Sequence, residues 1–196
     1  MRKAIFILVI MTLSSCKNNP TGPSLGTTEY FPLKVGNSWT YKMLGFNTTD
    51  TTEITMKVID AISKNGKVYY QMDTTVPILG IGLQEYKTSY PLLLRNDEKG
   101  DVYSLLGDKE SLFLKFSAPK DSSWYWYACD SCVAWFYMWS KNDTATIASR
   151  QYTNCIVMFQ NLYTILSFCP GVGLVSYIGD IEVPFSQAWL ESYSLK

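Results

Sequence analysis

The sequence predicts an all-β protein, and three observations carry that prediction. Apolar and polar residues alternate in short runs, turn signals punctuate those runs, and no long stretch shows a capped helical period. The clearest run is Thr51 to Val58, where Ile54, Met56 and Val58 share one face and Glu53, Thr55 and Lys57 the other. Lys64-Asn65-Gly66-Lys67 follows it, and Asn-Gly is the strongest short hairpin signal, because both central residues of a type I′ turn need positive φ. The expected architecture is an antiparallel curved sheet, forming an open or incomplete barrel or a sandwich, in one domain over residues 30–196.

The remaining elements follow in order. Val68 to Met72 returns as the partner of the first strand. Leu92 to Leu94, the polar loop Arg95 to Gly100 and Asp101 to Leu106 form a second hairpin. Ser111 to Phe116 and Thr153 to Gln160 add strands, and Val183-Pro184-Phe185 with Ala188 to Leu195 close the chain. One internal echo stands out. Phe31-Pro32-Leu33-Lys34-Val35-Gly36-Asn37-Ser38-Trp39 matches Phe116-Ser117-Ala118-Pro119-Lys120-Asp121-Ser122-Ser123-Trp124: a Phe, a Pro-containing turn, then Ser-Trp opening an aromatic strand. It suggests two similar β units, each dropping a tryptophan into the core.

Composition narrows the chemistry. The chain has 196 residues, 17 basic and 17 acidic, with 47% apolar and no histidine. Balanced charge excludes the basic footprint of a nucleic-acid binder. Without histidine there is no Ser-His-Asp or Cys-His nucleophile and no imidazole metal ligand. No cofactor, metal site or enzymatic activity is expected.

The amino terminus predicts export. Arg2 and Lys3 precede an apolar run from Ala4 to Leu13, too short to span a bilayer in a helix, and small residues follow. Leu13-Ser14-Ser15-Cys16 resembles the lipobox of bacterial lipoproteins. The resemblance implies a signal peptide over 1–15, lipidation of Cys16 on sulfur, and a membrane anchor of two or three acyl chains. Lys17 follows the cysteine, and Lys17-Asn18-Asn19-Pro20 has no acidic cluster, so the expected location is the periplasmic face of the outer membrane. Residues 16–29 make a flexible tether rich in Asn, Pro, Gly, Ser and Thr. Removing Arg2 and Lys3 leaves 15 basic against 17 acidic residues in the mature chain.

Tyr30-Phe31-Pro32-Leu33-Lys34-Val35-Gly36-Asn37-Ser38-Trp39-Thr40-Tyr41 resembles the opening of a group of uncharacterised Bacteroidetes-type lipoproteins. Cys169-Pro170-Gly171-Val172-Gly173-Leu174-Val175 resembles the Pro-Gly-Val-Gly-Leu-Val element near their ends. The resemblance implies a mostly β lipoprotein, related to the open half-barrels of lipoprotein carriers of the LolA type, and supplies no catalytic residues.

Four cysteines remain besides Cys16, and four allow three connectivities. If Asp130-Ser131 is a two-residue turn, Cys129 and Cys132 face each other across a hairpin. Cys155 and Cys169 flank a second hairpin centred on Leu162. The expected disulfides are therefore 129–132 and 155–169. The same turn places Trp126 opposite Trp135 and Trp124 opposite Tyr137. One face then carries Trp124, Trp126, Val133, Trp135, Tyr137 and Trp139, and the other Tyr125, Tyr127, Ala134, Phe136 and Met138. An apolar surface on both sides means central burial, a ligand cavity, or a partner.

Other signals are weaker. Asp97-Glu98-Lys99-Gly100-Asp101 lacks the distal glutamate of a calcium loop and suits a solvated turn. Ser117-Ala118-Pro119-Lys120 stands alone as a Ser-x-x-Lys string and coincides with the repeated turn. Asp180 and Glu182 form an alternate-residue carboxylate pair. Asp50-Thr51-Thr52, Asp73-Thr74-Thr75 and Asp143-Thr144-Ala145 resemble an O-glycosylation acceptor of Bacteroidetes. The leading expectation is a non-enzymatic outer-membrane lipoprotein that binds or carries lipid or another apolar ligand in a concavity lined by Trp124, Trp126, Trp135, Tyr137 and Trp139. The alternatives are a structural or protein-interaction module of an envelope complex, and a carbohydrate-binding module.

Overall fold

The computed structural model describes residues 29–44, 49–74, 91–127, 133–161, 164–179 and 186–196. The first half of the chain forms β1 (Ser38–Leu44), β2 (Thr51–Lys64), β3 (Lys67–Thr74), β4 (Leu92–Asn96), β5 (Val102–Leu106) and β6 (Lys109–Leu114). The second forms β7 (Ser123–Tyr127), β8 (Val133–Ile147), β9 (Arg150–Gln160), β10 (Thr164–Cys169), β11 (Gly173–Gly179) and β12 (Ser186–Ser194). Their order in one antiparallel sheet is β6-β5-β4-β3-β2-β1-β12-β11-β10-β9-β8-β7. Two meanders are thus joined where the first strand pairs with the last.

The sheet curls until its edges, β6 and β7, face each other, giving a barrel with one seam unsealed. Side chains bridge the seam instead of a backbone ladder. Trp124 Nε1 donates to the Phe113 carbonyl at 3.0 Å, and Ser111 Oγ donates to the Tyr127 carbonyl at 2.8 Å. Turning the edges towards each other also hides strand groups that would otherwise template aggregation.

Local sequence explains the elements. Asn65 (φ 53°) and Gly66 (φ 72°) make the expected tight turn between β2 and β3, while Ile54, Met56 and Val58 point into the core. The Asp97 carboxylate accepts from the amides of Lys99 and Asp101, closing the β4–β5 turn. Asp101 is itself buried and accepts from the amide and hydroxyl of Ser117, so the Ser-x-x-Lys serine anchors a loop. Cys155 and Cys169 are bonded, opposite each other just beyond the last β9–β10 pair, Ile156 with Phe168. Cys129, Cys132, Val183-Pro184-Phe185, Asp180, Glu182, Cys16 and the amino-terminal segment lie outside the described residues.

The two repeated segments open the two meanders, and each makes the same contacts. Gly36 (φ 92°) and Asp121 (φ 65°) occupy the equivalent left-handed position. The Gly36 amide donates to the Val58 carbonyl at 2.9 Å, as the Asp121 amide does to Met138 at 2.8 Å. The return bonds run from Val58 to the carbonyl of Asn37 and from Met138 to that of Ser122. Phe31 and Phe116 both pack edge-on against Phe168, at 6.1 and 5.1 Å.

Residues 29–37 lie across one end of the barrel, contacting Asn96 of β4, Asn154 of β9 and the β10–β11 turn. Here the two elements that carry the lipoprotein resemblance meet. Trp39 Nε1 donates to the Val172 carbonyl at 2.5 Å and the Tyr41 hydroxyl to Leu174 at 3.0 Å. All twelve strands contribute to the single large apolar cluster that fills the interior.

One outer-face cluster makes part of the fold's stability sensitive to acid. Glu110 accepts from Arg95 Nε, from Lys67 Nζ at 2.6 Å and from the Tyr69 hydroxyl, while Arg95 lies 4.3 Å over the Tyr103 ring. The Arg95 hydrogen bond is the main cause that lowers the Glu110 carboxyl from 4.5 to about 2. A depressed folded pKa stabilises above the unfolded value, and that stability is lost as pH falls from about 4.5 towards 2. With solvent screening, the loss expected in acid urea titrations is about 1–2 kcal/mol. Glu110→Gln should flatten this part of the pH profile.

Candidate functional site: the outward aromatic strip of β7 to β9

Strand β7 pairs with β8 in a register that matches Trp124 with Phe136, Tyr125 with Trp135, Trp126 with Ala134 and Tyr127 with Val133. This corrects the expected pairing of Trp126 with Trp135. Tyr127 and Val133 are the last described pair, and Asp130-Ser131 lies outside the described residues. A one-residue slip moves one strand's side chains to the opposite face. The five expected ligand residues are therefore split between the two faces of the sheet.

Trp124 and Trp126 point inward with Ala134, Phe136 and Met138, and are 8% and 3% exposed. Trp124 stacks on Phe136 at 5.4 Å, while Trp126 lies 5.0 Å from Phe113 and donates from Nε1 to Ser104 Oγ at 2.7 Å. Both indoles thus have apolar neighbours and a partner for the N–H, as buried tryptophan needs. They tie the seam together.

Trp135, Tyr137 and Trp139 point outward, with Tyr125, Tyr127, Val133 and Phe159. Trp135 stacks with Tyr137 at 5.8 Å, Tyr137 meets Trp139 at 6.4 Å, and Trp139 stands edge-on to Phe159 at 5.3 Å. Tyr125 is 57% exposed and Trp139 53%. The strip is held from both ends. The Tyr137 hydroxyl donates to Asp121 Oδ1 at 2.8 Å, which raises its pKa, since a bond to the carboxylate favours the phenol. Asn161, at φ 50°, donates its amide to the Trp135 carbonyl and accepts the Trp135 amide on its side chain, both at 2.8 Å.

This surface offers large apolar area for contact. Among its described residues it holds aromatic faces and one carboxylate already engaged by Tyr137. No group of three or more His, Cys, Asp or Glu side chains suited to a metal occurs among the described residues. An open cleft of about 390 Å³ elsewhere is lined by Glu29, Leu33, Lys67, Val68, Tyr70, Arg95 and Asn96, and includes none of these aromatics. Sequence reasoning missed Tyr125, Tyr127 and Phe159 as strip members. The alternation of Phe159 with Met158 and Gln160 was the signal for Phe159, and the correct register was needed for the tyrosines.

Two solved structures show a partial likeness to this chain. One is a Bacteroides fragilis protein described as exported and YmcC-like in fold, with a TM-score of 0.46 and 12% identity over 85% of this chain and 99% of that one. The other, described as a lipoprotein of Parabacteroides distasonis, gives 0.45 and 10% over 86% and 100%. No family model and no curated protein matches the chain.

Proposed function

We propose that this chain is a lipid-anchored, non-catalytic module of the bacterial envelope, tethered through Cys16 to the periplasmic face of the outer membrane, that binds a partner protein through the β7–β9 strip. The observation that supports this reading is the row of outward rings Tyr125, Tyr127, Trp135, Tyr137 and Trp139, large and solvent-facing in one patch. Tyrosine and tryptophan dominate protein-interface hot spots, because each buries much area with few rotatable bonds. Carriage of lipid among the five original residues is the weaker reading. Trp124 and Trp126 are already packed and hydrogen-bonded, and face away from the other three.

Photo-cross-linking in cells tests the proposal, with benzoylphenylalanine in place of Tyr127. One discrete protein adduct is expected, weakened about tenfold or more by Tyr125→Ser with Trp139→Ser. Both side chains are exposed, so folding stability should change by less than about 1 kcal/mol. Absence of any discrete adduct from well-folded protein would overturn the interface reading.

A further inference from the structure

We infer that the barrel end opposite residues 29–37 holds an internal binding site for a neutral amide group, centred on the Gln160 carboxamide. Gln160 is the last residue of β9 and lies inward, in line with Ile156 and Met158. It is 1% exposed, and neither its Nε2 nor its Oε1 has a hydrogen-bond partner. A buried carboxamide is ordinarily paired, because burial strips its water from two donor hydrogens and an acceptor oxygen.

The surroundings are built from neighbouring strands. In register, Gln160 lies beside Phe136 on β8 and Thr164 on β10. Thr164 is buried, and its Oγ1 converges with the Tyr177 hydroxyl of β11. The two oxygens lie 2.9 and 2.5 Å from one point, the position a side chain on Gly179 would occupy. Ala134 and Ala188 are small inward residues on β8 and β12. Polar side chains from three adjacent strands thus gather at this end, whereas the opposite end is filled by aromatic rings.

Charge selects the ligand class. No lysine or arginine is buried among the described residues, so a carboxylate here would lack a counter-charge. A neutral amide supplies a carbonyl to the Gln160 NH2 and an N–H to its oxygen. N-acyl groups carried on a sugar or on an acyl chain share that chemistry. The site is separate from the outer strip and does not depend on it.

The test is a titration of the full chain, 15N-labelled at glutamine, following the Gln160 side-chain NH2 resonances. The probe is butyramide, and the isosteric anion butyrate is the control. Saturable shifts with butyramide and none with butyrate are expected, and Gln160→Met should raise Tm and remove the increase in Tm that butyramide gives the wild type, since an unpaired buried amide is removed. Competition by N-acetylglucosamine or by N-octanoylethanolamine would then name the carrier of the amide. Unchanged Gln160 signals, equal shifts with both probes, or cross-relaxation to a resident water alone would overturn the inference.

Discussion

Replacing Trp39 with alanine is expected to cost about 3–5 kcal/mol of folding stability, the range for deleting a large buried aromatic. The indole is fully buried, stacks on Phe31 at 5.9 Å with the rings nearly parallel, and donates to Val172. A side chain on Gly173 would come within 3.2 Å of Trp39 Nε1, so the glycine and the tryptophan depend on each other. Trp39→Phe separates packing from hydrogen bonding. It keeps a ring against Phe31 but leaves the Val172 carbonyl without its donor, at about 1–3 kcal/mol. Urea unfolding followed by far-ultraviolet circular dichroism reads both. If the alanine variant unfolds within about 1 kcal/mol of the wild type, the junction of these two chain elements does not hold the barrel end together.

The second large effect is at the disulfide. Cys155→Ala with Cys169→Ala should destabilise by about 2–4 kcal/mol, the typical value for such cross-links. The bridge spans 14 residues and is reinforced by the β9–β10 ladder, which limits the loop freedom left to remove. Both cysteines are buried, so dithiothreitol should reduce the native protein slowly and the urea-unfolded chain quickly. Rapid reduction in native buffer would mean that the bridged end opens far more readily than the packing around it suggests.

Much of the fold was legible because local chemistry set it. Asn65-Gly66 supplies two positive-φ residues in a row, and Ile54, Met56 and Val58 alternate with polar residues, so strand, turn and facing follow from short-range sequence. The 155–169 disulfide was legible for a similar reason, since its cysteines sit symmetrically about Leu162. The β7–β8 register was not. Trp124 to Tyr127 and Val133 to Trp139 are apolar on both faces, so nothing in the pattern distinguishes inside from outside, and the assumed turn at Asp130-Ser131 decided the facing. Gln160 stayed hidden because a polar residue ending a strand ordinarily signals solvent. The joining of β1 to β12 was equally invisible, being set by curvature of the whole sheet.

That last joint has a kinetic consequence. Within each meander, strands that pair are consecutive in the chain, so those pairings close far shorter loops than the joint between β1 and β12 does. Ser38 pairs with Ser194, so the contact joining the halves spans almost the whole described chain. Loop closure over such a separation is the costly step in forming a β topology. The halves can organise early and separately, but the barrel exists only once the last strand is available to the first. Folding speed should therefore be governed by a single late docking event, with the mid-chain seam formed by side chains as its complement.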